Sequence, residues 1–313
     1  MTFTRTVKKE LITIPVKTNE MLAEFSAFLN LACDFVISNK TKVIDFQTTN
    51  PTVSRRFLLL SKSLYQSETV LMTKERESAI NKLSIILRLT TKIDEIISEH
   101  GFLEDRIENA KLITEQEECK KAFLRASFLI GGSINHPKTA EYHMEIFAKN
   151  SDEIVFMQSL MNHFNLNAKI IKRRHGFIVY LKNAESISDF LQIIGAQNAL
   201  FEFEDNRIKR DFNNSINRIM NIEIANEKKS YETAVRQFKN IELIESYRVK
   251  NEVDDKMVEV IKLRKKYPEA SLSELTLHYE EEYGEKISRS GLNHRFIKIE
   301  KLANKIREAT NDN

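Results

Sequence analysis

The sequence predicts an α+β chain: a pseudo-dimer of two α-β-β-α repeats, followed by an all-α helix-turn-helix domain. Three observations predict it. Two segments about a hundred residues apart share one order of apolar helix, strand, asparagine turn and second helix. Glycine and proline are scarce, seven and four in 313 residues, which favours helices and short connections. The C-terminal stretch combines a helix-capping box, a glycine break and a second helix whose cations gather on one face.

The first repeat runs as an apolar helix from Leu22 to Ile37, an extended segment from Lys42 to Asn50, and a helix from about Thr52 to Tyr65. The second runs from Lys120 to Ile134, then Glu141 to Ala148 as a strand, Asn150 as the turn, and a helix from Ser151 to Phe164. It continues as a hairpin, Ala168 to Arg173 and Phe177 to Leu181, joined across Arg174-His175-Gly176, and closes with a helix from Ile187 to Ile194. Neither unit buries its apolar helix alone, so the two first helices are expected to pack together. Ala32, Cys33, Gly131 and Gly132 would let them approach closely.

Phe203 to Arg248 reads as long amphipathic helix, with Ile208, Phe212, Ile216, Ile219 and Met220 marking one stripe. Asn214, Asn217, Asn221 and Asn226 are poor formers of mid-helix, which points to hydrogen-bonding work at those positions. Val249 to Asp255 reads as a hinge and the cap of the next helix, which ends near Pro268. Ser271-Leu272-Ser273-Glu274 is the capping box, with Leu272, Leu275 and Tyr279 at helical spacing and Gly284 as the break. In the final helix Leu292, Phe296, Ile299, Ala303 and Ile306 form the buried stripe. The expected segments are therefore residues 1–110, 111–202, 203–249 and 250–313.

The face opposite that stripe carries the functional expectation. Between Lys286 and Arg307 the only acid is Glu300. Arg and Asn can read base edges in the major groove, and Lys and Ser can hold phosphates. The expected contacts with double-stranded DNA are Ser271, Ser288, Arg289, Ser290, Asn293, His294, Arg295, Lys298 and Lys301. The basic hairpin turn at Lys172, Arg173 and Arg174 is a second candidate, where a solvated tip is the competing reading.

Composition excludes several classes. Hydrophobic residues at 42% and charged residues at 30% describe an ordinary globular protein, and a net charge of +3 does not by itself call for a polyanion. No apolar run reaches membrane-spanning length, and Met1 to Pro15 has no apolar core of a secretory leader, so a cytoplasmic protein is expected. Cys33 and Cys119 are expected as free thiols, far apart and without companions at metal-ligand spacing. There is no glycine-rich nucleotide loop, no paired-histidine metal motif and no recognisable nucleophile motif.

Phe123-Leu124-Arg125-Ala126-Ser127-Phe128-Leu129-Ile130-Gly131-Gly132-Ser133 resembles the LAGLIDADG helix of homing endonucleases. More specifically, Gly195-Ala196-Gln197-Asn198-Ala199-Leu200-Phe201-Glu202-Phe203-Glu204, with Arg207, Asn213, Asn217-Arg218, Asn221 and Ala225-Asn226, resembles the WhiA family of bacterial regulators. The tail stretches Pro268 to Leu272 and Ser288 to Arg295 fit the same family. The resemblance covers nearly the whole chain and is weakest over residues 1–110. It implies a LAGLIDADG-like pseudo-dimer with a saddle-shaped sheet joined to a C-terminal helix-turn-helix. It also implies a nucleoid-associated role in cell division and chromosome segregation, with transcription or sporulation control in some members.

Resemblance to homing endonucleases further implies a metal-dependent nuclease, unless the chemistry has been lost. Phosphodiester cleavage of that kind needs hard oxygen ligands at the ends of the paired helices. Those places fall on Gly131 and near Ala32 or Cys33, none of which holds magnesium, and Asp34 lacks a symmetric partner. No catalytic residue, cofactor or metal is therefore expected. The alternatives are a residual nuclease using Asp34, or a protein-interaction scaffold whose LAGLIDADG-like half binds a protein partner.

Overall fold

The structure is a computed structural model that describes residues 2–38, 41–74, 84–139, 141–247 and 252–311. Its elements begin with helix α1 (Phe3–Leu11), helix α2 (Thr18–Ala32), strands β1 (Cys33–Ser38) and β2 (Thr41–Thr48), and helix α3 (Pro51–Tyr65). Strands β3 (Thr69–Lys74) and β4 (Ser84–Leu89) and helices α4 (Ile93–His100) and α5 (Arg106–Ile113) complete the first half. The second half repeats the plan with α6 (Glu117–Gly131), β5 (Gly132–Ile134), β6 (Met144–Ala148), α7 (Ser151–His163), β7 (Lys169–Arg173), β8 (Gly176–Leu181) and α8 (Ala184–Ile194).

The second repeat follows the reading from the sequence with β5 added after its first helix, and the first repeat gains β1, β3, β4 and α4. The order is α-β-β-α-β-β-α in both, and each forms its own antiparallel four-stranded sheet, β1-β2-β4-β3 and β5-β6-β8-β7. The expected helix from Leu22 to Ile37 ends at Ala32, because the backbone turns extended at Cys33 (φ −111°, ψ 143°). Phe35, Val36 and Ile37 are aromatic or β-branched and suit a pleated strand better than a helix. The asparagine turns occupy equivalent places. Asn50 caps α3 by accepting from the Thr52 amide at 3.0 Å, and the Asn150 side chain donates to Glu153 Oε1 at 2.8 Å at the start of α7.

α2 and α6 pack against each other, and both repeats feed one apolar core that includes Phe28, Phe46, Phe57, Phe123, Phe128 and Phe190. Across this joint lies a buried ionic group. Glu24 of α2 accepts from Arg56 of α3 at 2.7 and 3.0 Å and from Arg125 of α6 at 2.9 Å. The carboxylate is fully buried and the two guanidinium groups are nearly so. Cys33 and Cys119 are free and buried.

Helix α9 (Gln197–Ser246) is followed by α10 (Asp255–Lys266), α11 (Leu272–Tyr283) and α12 (Arg289–Asn311). The chain divides into two compact units, residues 1–211 and 212–313, with the division inside α9. Ala199 and Phe203, in the first turns of α9, belong to the core of the first unit. Ile241 and Ile244, near its end, pack with Val260, Leu275, Leu292, Phe296 and Ile299 of the second. The stripe of Ile208, Phe212, Ile216, Ile219 and Met220 is solvent-exposed. Of the expected hinge, residues 249–251 lie outside the described residues, and Asp254 caps α10 by accepting from the Met257 amide at 2.7 Å. Among the described residues, no helix is long and apolar enough to cross a membrane.

Candidate nucleic-acid interface

The second unit presents a helix-turn-helix. At the start of α11 the Ser271 hydroxyl accepts from the Glu274 amide at 3.2 Å, and Glu274 accepts from the Ser271 amide at 2.7 Å. Two otherwise orphaned amides are thereby satisfied. α11 ends at Gly284 in the left-handed region (φ 70°), where a side chain would be strained. The Ser288 hydroxyl then accepts from the Gly291 amide at 3.0 Å, opening α12. Leu292, Phe296, Ile299 and Ala303 anchor α12 in the unit's core, with Ile306 partly buried against it.

The opposite face is polar. Arg289, Ser290, Asn293, His294, Lys298 and Lys301 are all exposed. Among the described residues Arg289 and Lys301 have no acid within ion-pair distance, whereas Lys298 lies 3.7 Å from Asp254. Glu300, the one acid of this stretch, pairs with Arg236 at 3.7 Å. An unopposed cation at the start of the helix and another farther along it, with short hydrogen-bonding side chains between them, are chemistry that can meet phosphates and base edges.

Arg295 departs from the expectation. Its guanidinium turns inward, 3.1 Å from Glu259 Oε2 of α10 and 2.9 Å from the Tyr279 hydroxyl of α11, and it lies over the Tyr279 ring. The reason is helical geometry: position 295 flanks the buried stripe, and Glu259 offers a carboxylate there. Burial and the bond to Glu259 hold the Tyr279 hydroxyl above its ordinary pKa. Arg295 fastens the three helices together. Ser271 and Ser288 likewise hold helix termini, with their hydroxyl protons still able to donate outward.

Two features of this unit were not singled out in the sequence. Arg264 of α10 is 1% exposed and donates to Gln237 of α9 at 3.0 Å and to the carbonyl of Ala270 at 2.6 Å. The sequence signal was an arginine on the apolar side of α10. The other is the pairing of Arg307 with Asn240 at 2.7 Å, which ties the far end of α12 to α9.

In the first unit, the hairpin β7–β8 turns tightly, with Arg173 opposite Gly176. Lys172, Arg173, Arg174 and His175 are exposed at its tip and, among the described residues, have no ion-pair partner. The helix ends where an endonuclease would place its acids are also defined. Gly131 closes α6 so tightly against β6 that a Cβ there would sit 2.4 Å from the Phe147 carbonyl oxygen. Any side chain at 131 would collide with backbone. A cavity of about 310 Å³ beside these helix ends is lined by Ala32, Asp34, Gln47, Phe147 and Lys149, among others. Asp34 is its one carboxylate, exposed on β1 opposite Asp45, which is held by Arg88 at 2.7 and 2.8 Å. Among the described residues no three His, Cys, Asp or Glu side chains converge as metal ligands would.

Comparison with known proteins matches three successive stretches of the chain. The WhiA N-terminal LAGLIDADG-like domain matches residues 18–103, the WhiA LAGLIDADG-like domain residues 120–213, and the WhiA C-terminal HTH domain residues 216–303. The chain is 40% identical over 311 residues, 98% of either chain, to the probable cell division protein WhiA of Bacillus cereus strain B4264, and equally to that of Bacillus anthracis strain CDC 684. Among solved structures it is similar to full-length DUF199/WhiA from Thermatoga maritima, with a TM-score of 0.59 and 24% identity, covering 97% of this chain and 99% of that one. The N-terminal LAGLIDADG domain of DUF199/WhiA matches 62% of this chain and 90% of its own, with a TM-score of 0.50 and 25% identity. Paired repeats, a helix-turn-helix behind them, and relatives matched from end to end give one answer: the chain belongs to the WhiA family.

Proposed function

We propose that this chain is a sequence-specific DNA-binding regulator acting in cell division, with α12 entering the major groove. The observation that carries the reading is the exposed face of α12, where Arg289, Ser290, Asn293, His294 and Lys301 lie opposite a fully buried stripe. Arg289 and Asn293 read base edges, while Lys298, Lys301 and the capping serines hold phosphates. Arg295 serves the fold of this surface rather than the DNA. The hairpin tip at Lys172 to Arg174 is a secondary phosphate contact. The division of labour follows residues 1–110 and 111–202 as the paired repeats, 203–249 as linker and 250–313 as the DNA-binding domain. A cytoplasmic, nucleoid-associated protein with a part in transcription and chromosome segregation is the corresponding cellular role. The cell-division names of its relatives support the part in cell division.

The first unit acts without cutting DNA. Support comes from Gly131, which has no room for an acid, and from the single carboxylate in the cavity beside it. We assign that unit to a protein partner or to DNA positioning. Fluorescence anisotropy of the full chain on a library of duplexes tests the DNA reading, and selective binding that weakens steeply with salt is expected. Absence of binding at low salt sinks it. Supercoiled DNA incubated with magnesium is expected to stay intact; cleavage that disappears in Asp34→Asn would restore the nuclease reading.

A further inference from the structure

Within the second unit, a polar pocket of about 350 Å³ opens between α9 and the start of α11. Its walls include Asn226, Lys229, Arg264, Ser271, Ser273 and Arg289, and no carboxylate. Three cations therefore border one small volume. Lys229 and Arg289 are exposed and, among the described residues, have no acid within ion-pair distance. Arg264 is the informative one. It is 1% exposed, and its bonds go to the Gln237 side chain and to the carbonyls of Tyr267, Pro268 and Ala270. Carbonyl oxygens satisfy its donors but do not neutralise its charge. A buried guanidinium without a counter-ion is costly, and burial pulls its pKa down to about 10.

The same volume meets the first turn of α11. The Glu274 amide is already satisfied by Ser271, but Leu272 and Ser273 begin the helix with amides that have no helical carbonyl behind them, and both residues line the pocket. The positive end of the helix dipole adds to the three cations. Short donors complete the set. Asn226 and Ser273 flank the space, and Asn226 is one of the asparagines whose place in mid-helix has no packing rationale, since it is exposed.

We infer that this pocket is an anion site that takes a phosphate group, held by Lys229, Ser273 and the first turn of α11 over the buried charge of Arg264, beside the Arg289 that reads base edges. Where the phosphate belongs to a duplex, the inference rests on the DNA reading above and adds α9 to the interface, clamping the backbone beside the groove that α12 reads. A free phosphate would use the same donors.

Two measurements on the full chain and on Lys229→Gln and Lys229→Gln/Ser273→Ala decide it. Both positions are exposed, so the variants are expected to fold, which circular dichroism checks. In the first, duplex affinity is followed from low to high salt. A duplex phosphate in the pocket makes the slope of log affinity against log salt shallower by about 0.9 in Lys229→Gln, with the ranking of duplex sequences unchanged. In the second, melting temperature is followed with inorganic phosphate against chloride at matched ionic strength. Phosphate raising the melting temperature of the wild type but not of the double variant, with an unchanged salt slope, assigns the site to free phosphate. An unchanged slope together with equal responses to phosphate and chloride in all three proteins overturns the inference. A wild type that binds no duplex defeats the DNA reading alone, and the phosphate titration still judges the pocket.

Discussion

Arg295 of the last helix lies 3.1 Å from Glu259 of the helix thirty-six residues earlier, and Tyr279 bridges them through its hydroxyl. A residue that the sequence places among the proposed DNA contacts is a strut in the structure. Replacement by alanine is expected to destabilise the second unit by about 1–2 kcal/mol, since the pair is partly exposed and solvent screens it. Chemical denaturation followed by circular dichroism measures this. A variant as stable as the wild type that has lost sequence discrimination would return Arg295 to the DNA surface.

Asn293 and Lys301 are both exposed on α12, and the proposed function gives them different roles. Asn293→Ala is expected to cost about 1–3 kcal/mol on the preferred duplex and little on random sequence. Lys301→Ala is expected to weaken every duplex alike and to reduce the salt slope by about 0.9. Anisotropy titrations on matched preferred and scrambled duplexes separate the two; equal losses on both duplexes from Asn293→Ala would refute its assignment.

Glu24 holds two arginines from different helices in a site without water access. Glu24→Gln leaves Arg56 buried with a neutral partner and Arg125 with the more distant carboxylate of Glu20 at 3.8 Å, and is expected to destabilise the first unit by about 3–5 kcal/mol. Replacing all three by packed apolar residues is expected to restore most of that. Urea unfolding of the single and triple variants reports both numbers.

His100 supplies a pH dependence. It is buried, and its Nε2 lies 2.8 Å from the Tyr65 hydroxyl, which itself donates to Glu99 at 2.5 Å. The tyrosine oxygen thus accepts from Nε2, leaving Nδ1 as the bare, unpartnered nitrogen. Burial lowers its pKa from 6.5 to about 4. The unfolded chain binds a proton in this range and the folded one does not. The stabilisation is complete above pH ~6.5 and drains away toward pH ~4, by about 3 kcal/mol in all. Melting temperature against pH is expected to fall less steeply over this window in His100→Phe than in the wild type.

What could be read in advance tracks how local the physics is. The Ser271–Glu274 capping box was legible because both its bonds close within four residues. The Asn50 and Asn150 turns and the hairpin at Arg174-His175 were legible for the same reason. The inward turn of Arg295 was not, because it depends on a carboxylate in another helix. Strand β3 was hidden because Val70 and Leu71 are both largely exposed, so its apolar residues give no alternation. Arg264 continues the apolar stripe of Met257, Val260 and Ile261, but the partner that receives its guanidinium, Gln237, lies in another helix and leaves no local signal.

The packing of Gly131 against the Phe147 backbone limits what substitution can do at that place. Every other residue brings a Cβ, so no exchange at 131 is accommodated while the strand keeps its position. The main chain would have to withdraw first, at a loss of packing. Position 131 is thereby closed to side-chain chemistry of any kind, and variation at this helix joint has to proceed through its neighbours.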